Sequence, residues 1–210
     1  MRVTIDGTLQ RGDWSISFDM MRIETGVTAI TGPNGAGKTS LLRLIAGLEA
    51  IDSGHVLYDD TPVDAPAESI FVQCRERPIA MVFQDSRLFP AMRVIDNVAF
   101  PMRRRGIDRR EARERANDIL ADVGMSDASQ SHPADLSGGQ HQRVAIARAL
   151  ATDARLLLLD EPLASIDEAS RAAIRHLFTH SRFDSVIWVT HNESDADSAA
   201  RVISLPNSPA

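Results

Sequence analysis

The chain has 210 residues, of which 43% are hydrophobic and 25% charged, and a formal net charge of −6. That length suits one domain, large enough to bury a sizeable core and to hold an inserted subdomain. The acidic balance gives no electrostatic footprint for a nucleic acid, the apolar runs fall far short of the ~18 residues of a membrane helix, and a single cysteine, Cys74, excludes an internal disulfide.

Arg2 to Ile5, Trp14 to Phe18 and Gly26 to Ile30 read as short strands, the second with clean polar and apolar alternation. The first lacks the long apolar core of a secretory signal, so a cytoplasmic address is expected. After the third comes Gly32-Pro33-Asn34-Gly35-Ala36-Gly37-Lys38-Thr39-Ser40, then the apolar run Leu41 to Ile45. Glycines let successive N–H groups turn inward on an anion where a Cβ would obstruct them. Lys38 adds a point charge for the β and γ phosphates, Thr39 a hydroxyl ligand for Mg²⁺, and the helix opening there its positive end. A G-x-x-x-x-G-K-T loop between strand and helix meets the context that separates a nucleotide site from an ordinary glycine turn. Kinase, GTPase and ATPase all remain open at this point.

The helix should stop near Gly47. Asp52-Ser53-Gly54 then marks a turn, His55 to Tyr58 a strand, and Pro62 and Pro66 punctuate a loop. Ile79 to Phe83 suits a buried strand and hands directly to Gln84. From Asp85 to about Pro133 the pattern is helical, with Asp108 and Glu111 spaced as a capping box and Ala112, Ala116, Ile119, Leu120 and Val123 on one face. This is expected to be an inserted helical subdomain. The arginines between Arg103 and Arg115 suit either an acidic partner or, more simply, a solvated helix face with i,i+4 pairs such as Glu111 and Arg115.

Leu136-Ser137-Gly138-Gly139-Gln140 opens a further helix, with Ser137 as N-cap and Gln140 completing a capping box. Its backbone donors make an anion-facing helix start. Leu156 to Leu159 is a buried strand ended by Asp160-Glu161-Pro162, and Ser165 and Glu168 are spaced to cap the helix carrying Ile174, Leu177 and Phe178. Val186 to Thr190 is the last buried strand, with His191 just beyond it, and the tail after Leu205 is expected to fray. Strands alternating with helices mean an α/β architecture whose ligands bind at the carboxyl ends of the strands.

Taken in order, the phosphate loop, Gln84, Leu136 to Gln140, Asp160-Glu161 and His191 resemble the nucleotide-binding subunit of an ATP-binding cassette transporter, from the Val27 strand to His191. The resemblance implies a P-loop NTPase cassette with a mainly parallel core sheet, an N-terminal antiparallel β-subdomain and a helical subdomain at about 85–140, all in one domain of residues 1–210. It implies ATP and Mg²⁺, with Gly32, Pro33, Asn34, Gly35, Ala36, Gly37, Lys38, Thr39 and Ser40 as the Walker A loop. Thr39 and Gln84 would ligate Mg²⁺, with Asp160 acting from behind them. Glu161 matches the general base and His191 the switch histidine at the γ phosphate. Since adjacent residues in extended chain point opposite ways, Glu161 is expected to face the phosphate while Asp160 faces the metal.

Ser137, Gly138, Gly139 and Gln140 match the family signature, which closes over ATP held by a second copy, so a homodimer is implied. Ser165-Ile166-Asp167 fits the D-loop, with Ile166 where the family more often has leucine. Arg87-Leu88-Phe89-Pro90 and Val94 to Val98 resemble the segment of importer ATPases that receives a helix of the membrane permease. This implies a peripheral position on the cytoplasmic face of the inner membrane, in a system with a solute-binding protein. Trp14 is the candidate ring for the adenine, a strand-face role being the other reading.

Val82 to Pro90 and Asp160 to Ser165 are most similar to molybdate-uptake ATPases. Such proteins commonly carry a C-terminal regulatory domain, and none is expected before Ala210. The function implied is ATP hydrolysis powering an importer, for molybdate or a similar oxyanion. The competing expectation is a soluble cassette ATPase acting on nucleic acid or ribosomes. Those relatives typically need two cassettes or coiled-coil arms, and the stretch between Gln84 and Leu136 is too short for an arm. A nucleotide-gated scaffold without turnover sits poorly with Lys38, Asp160, Glu161 and His191 all present.

Overall fold

The computed structural model describes residues 1–12 and 14–206, with Glu193 described by its backbone alone. The expected fraying beyond Pro206 lies outside the described residues. In chain order the elements are β1 (Val3–Arg11), β2 (Trp14–Ile23), β3 (Gly26–Thr31), α1 (Lys38–Ala46), β4 (Ser53–Tyr58), β5 (Thr61–Ala65), β6 (Ile70–Phe71), β7 (Ile79–Val82), α2 (Val94–Arg104), α3 (Arg109–Asp122), α4 (Gly138–Leu150), β8 (Leu156–Asp160), α5 (Glu168–Thr179), β9 (Ser185–Val189), α6 (Glu193–Ala196) and β10 (Arg201–Ser204). They divide into two units. One comprises Met1–Ile79, Arg155–Asp160 and Arg182–Ala210, the other Ala80–Ala154 and Glu161–Ser181.

The first unit holds two sheets. One is antiparallel in the order β2-β1-β4-β5-β6, and in the other β10, β3, β9 and β8 lie side by side, each pair parallel. Every residue of β8 and β9 is buried, as expected of near-continuous apolar runs in a parallel sheet covered on both faces. The register aligns their ends: Val189 of β9 is the partner of Ile30 on one side and of Asp160 on the other. The chain therefore leaves β3, β8 and β9 at one edge and one level, and the phosphate loop, Asp160 and His191 follow from there.

Two strands depart from expectation. Pro62 sits inside β5 and not in a loop. It pairs with Leu57 where the β4–β5 register shifts, a place where a missing N–H is tolerated. β10 is short and largely exposed, so it carries no buried pattern to read.

Arg77 was not singled out by the sequence, yet it finishes α1. The αL residue Gly47 closes the helix through its N–H to Arg43 and Leu44 carbonyls. Arg77, 4% exposed, donates Nη1 to the carbonyls of Leu44 at 3.1 Å and Ile45 at 2.9 Å, Nε to Val72 at 2.9 Å and Nη2 to Val63 at 3.2 Å. Those of Leu44 and Ile45 belong to the last turn of α1, where a helix end leaves carbonyls in need of partners. The guanidinium also lies 5.8 Å from the Tyr58 ring centre and 5.6 Å from that of Phe71. The Tyr58 hydroxyl donates to Ile45 as well, and burial pushes its pKa up to about 12.

In the second unit α2, α3 and α4 pack on one another, with Ala112, Ala116 and Leu120 as the buried stripe of α3. Asp108 caps α3 by accepting from Arg110 N at 2.8 Å, but Glu111 gives no reciprocal bond. Its carboxylate pairs instead with Arg115 at 2.5 Å. Arg110 pairs with Glu114 at 2.9 Å, and Arg113 makes a two-pronged pair with Asp96, holding that carboxyl below its usual range. Arg110 and Arg115 thus form the i,i+4 pairs of a solvated helix face. The cap of α5 is Asp167, accepting from Ser170 N at 3.0 Å, and not Ser165. Aspartate is an equally good cap, and the helix begins two residues later than the Ser165 spacing suggested. Among the described residues no helix is long and apolar enough to cross a membrane.

Replacing Arg77 with methionine keeps the stem and removes the donors. The expected cost is about 3 kcal/mol, because four hydrogen bonds from one buried guanidinium are lost at once, read as a shift in the urea unfolding midpoint. A loss below about 1 kcal/mol, the worth of one ordinary hydrogen bond, would contradict the capping role.

Candidate functional site

The phosphate loop is built by β3 and α1. Gly37 precedes α1 at φ +84, in the left-handed region, and no side chain caps the helix start, so its first N–H groups are not taken by a capping side chain. Lys38 is 7% exposed. Its Nζ donates to the carbonyls of Gly32 and Pro33, each at 2.8 Å, which fixes the ammonium over the loop that it belongs to. Thr39 Oγ1 donates to Oδ1 of Asp160 at 3.2 Å. Thus the loop threonine and the strand-end carboxylate, far apart in sequence, meet.

Two neighbours wall the loop. A Cβ on Gly37 would stand 2.8 Å and 2.9 Å from Cζ2 and Cη2 of Trp14, and 3.3 Å from Cδ1 of Ile16. The Trp14 ring therefore lies against the loop itself, half-buried. On the other side Leu205 N donates to Thr31 O at 2.9 Å, and its carbonyl would be 2.8 Å from a Cβ on Gly32. Nothing in the sequence marked Leu205, because it acts through its backbone. Thr190 N donates to Ile30 O at 3.1 Å, so the turn bearing the exposed His191 starts beside the end of β3. Asn192 N to Thr190 Oγ1 at 3.0 Å and Ser194 N to Asn192 Oδ1 at 2.9 Å shape that turn.

Gln84, Glu161 and Ser137 to Gln140 belong to the second unit. Gln84 is exposed in a turn after β7. Glu161 is half-buried at φ +48, a left-handed conformation unfavourable for a residue with a Cβ. The expected alternation of Asp160 and Glu161 assumed extended backbone at both positions. The chain leaves that conformation at Glu161, so the direction of its carboxylate is set by this turn and not by strand period.

The α4 start takes the expected form. Ser137 Oγ accepts from Gln140 N at 3.3 Å, and Gln140 Oε1 accepts from Ser137 N at 2.8 Å. A Cβ on Gly139 would lie 2.6 Å from the Ser165 carbonyl, whereas one on Gly138 would meet nothing within 4 Å. Gly139 thus lets the Ser165 segment seat against the helix start, and Gly138 leaves its outer side open. Cys74 is half-buried, with its thiol pushed up by burial, as suits an inert group.

A glycine loop at a helix start, a lysine over its mouth and a threonine bonded to a strand-end aspartate define a P-loop nucleotide-binding protein. The model of the ABC transporter family matches residues 15–164, and the chain belongs to that family. It is 39% identical over 196 residues to the spermidine/putrescine import ATP-binding protein of Thermotoga maritima, covering 92% of this chain and 51% of the relative. With a Fe(3+) ions import ATP-binding protein of Rhizobium meliloti it shares 44% over 181 residues, 84% of this chain and 49% of the relative. With a sulfate/thiosulfate import ATP-binding protein of Bordetella parapertussis it shares 42% over 195 residues, 89% and 53%. The chain spans about half the length of these relatives. Among solved structures it is similar to a dimeric bacterial ABC transporter cassette, with TM-score 0.83, 28% identity, and 98% of this chain and 94% of that one covered. A dimeric post-hydrolysis state of an ATP-binding cassette bound to ADP and Pi gives TM-score 0.81 at 28% identity, with the same coverage of 98% and 94%.

Of the two tryptophans, Trp188 is 1% exposed within β9 and Trp14 touches the loop. ATP should therefore change the tryptophan emission of the wild type, and Trp14→Phe should abolish that change while ATP still binds. An unchanged wild-type emission at saturating ATP would contradict the placement of the ring.

Proposed function

We propose that the chain is the ATP-hydrolysing, nucleotide-binding part of a membrane importer. The observation that carries this reading is the Thr39–Asp160 hydrogen bond beside the Lys38-capped loop. On nucleotide entry Lys38 Nζ turns from the Gly32 and Pro33 carbonyls to the β and γ phosphates, and the N–H groups at the α1 start take phosphate oxygens. The Thr39 hydroxyl and Asp160 carboxylate are hard oxygen donors of the kind that suits Mg²⁺ alongside phosphates and water. Thr39 and Gln84 would hold the ion, with Asp160 accepting from its surroundings. When bound, Mg²⁺ neutralises charge on the phosphates.

Glu161 acts as general base, its carboxylate orienting the attacking water and taking its proton, and His191 steadies the γ phosphate. These two roles rest on motif order within the family. Trp14 offers its ring face to the adenine.

Ser137, Gly138 and Gly139 present an outward helix start and serve the nucleotide of a second copy, which makes the working unit a homodimer. The dimeric form of both similar cassettes supports this. The segment Arg87 to Pro90 receives a membrane permease, and the chain works peripherally at the cytoplasmic face of the membrane with a solute-binding protein in the full system. That the relatives are import ATP-binding proteins supports the direction. For the solute, the reading of molybdate or a similar oxyanion rests on Val82 to Pro90 and Asp160 to Ser165 alone. Relatives at 39–44% identity are named for a polyamine, ferric iron and sulfate, as befits a cassette that touches ATP and permease and not solute.

Glu161→Gln should keep ATP and accumulate an ATP-dependent dimer by size exclusion, with turnover lower by about 10²–10⁴-fold, the usual worth of a general base. Hydrolysis at the parent rate would contradict the assignment. Co-expressed with its multi-spanning permease, the protein should co-purify with it. Stable association with ribosomes or DNA at physiological salt, without a permease, would favour the soluble ATPase instead.

A further inference from the structure

One strained segment of the second unit leads into the stretch from Arg87 to Pro90, and the roles above leave its strain unexplained. After Gln84 the chain turns through Ser86 and Arg87, two consecutive residues in the left-handed region at φ +55 and +44. Residues with a Cβ avoid that conformation, and it persists only where neighbouring groups fix it.

The fixing groups are on α4. Ser86 is buried, and its Oγ donates to Oε1 of Gln142 at 2.6 Å. Arg148 donates Nη1 to the Arg87 carbonyl at 2.8 Å and Nη2 to the Ser86 carbonyl at 3.1 Å, so one guanidinium grips both strained residues. It also lies 5.1 Å from the Phe89 ring centre. Just beyond, buried Asn97 of α2 holds the chain by accepting from Phe89 N at 2.8 Å and donating to Phe89 and Met92 carbonyls, each at 3.1 Å.

Gln142 is itself incompletely satisfied, because its Nε2 is buried without a partner. Turning the amide round would only move the deficit to Oε1. The turn is therefore held in a strained state by a grip that is one hydrogen bond short, an arrangement suited to exchange with another. Gln142 and Arg148 lie on the helix whose N-cap is Ser137, and a helix of this length moves as one rod.

We infer that Gln142 and Arg148 are positioning residues that lock the Ser86–Arg87 turn to α4. When nucleotide closes on Ser137 to Gly139, these two side chains carry the displacement of α4 into the segment from Arg87 to Pro90. The inference rests on the reading of Ser137 to Gly139 as nucleotide-facing, and it names the side chains that make the link.

The test is hydrogen–deuterium exchange on the full chain, comparing wild type, Gln142→Leu and Arg148→Lys, with and without saturating ATP in EDTA to stop turnover. In the wild type, ATP should slow exchange about tenfold in peptides 31–45, 137–141 and 85–89 together, the scale of a modest shift in local opening. In both variants 31–45 and 137–141 should slow as before, while 85–89 loses its response. The same ATP response at 85–89 in both variants, or none there in the wild type, overturns the inference. Slowing at 31–45 without slowing at 137–141 in the wild type overturns instead the nucleotide-facing reading beneath it. If Gln142→Leu loses protection throughout α4 without ATP, Arg148→Lys, which keeps stem and charge, decides.

Discussion

The parallel register of β3, β9 and β8 is the constraint on which the nucleotide site depends. Ile30 and Asp160 are both partners of Val189, so the phosphate loop and the strand-end carboxylate emerge at one level, and Thr39 reaches Asp160 across more than a hundred residues of sequence. A slip of one residue in either pairing would turn the strand's side chains over. Asp160 would then face away from Thr39, and a buried carboxylate would lose that hydrogen bond. Burial of β8 and β9 on both faces is what makes such a slip costly, so the apolar core fixes the polar geometry at its edge.

What the sequence revealed follows from how local the physics is. The loop from Gly32 to Ser40, the buried run Leu156 to Leu159 and the Ser137/Gln140 capping box are each written within a few residues, and the structure forms them as read. The mainly parallel core sheet and the antiparallel sheet ahead of it are also present. Where two local solutions compete, spacing alone is a poor guide. Asp167 caps α5 in place of Ser165, and Glu111 prefers Arg115 to the helix start.

Contacts between distant segments were written less plainly. Arg77 beneath α1, Leu205 against Gly32 and Trp14 against Gly37 depend on backbone approach between distant segments. Trp14 shows the difference well: its alternation with Ile16 and Phe18 allowed a strand-face role, and only the position of Gly37 places its ring at the loop. Glu161 is the opposite case, a residue whose proposed role comes from motif order but whose left-handed backbone was not legible. Left-handed backbone of this kind recurs at Ser86 and Arg87, where neighbouring side chains hold the turn.

The two ends of the account meet in the idea that one chain holds half of each site. The loop side is furnished with Lys38, Thr39 and Asp160, while the helix start at Ser137 to Gly139 faces outward with Gly138 open. The most direct measurement is complementation between two broken chains, Lys38→Ala in one and Ser137→Arg in the other. Each alone should be nearly inactive as an ATPase, and mixing them should restore activity, because the mixed dimer contains one site with an intact loop and an intact opposing helix start. Mixtures that stay as inactive as the separate variants, despite forming mixed dimers, would contradict a site shared between two copies.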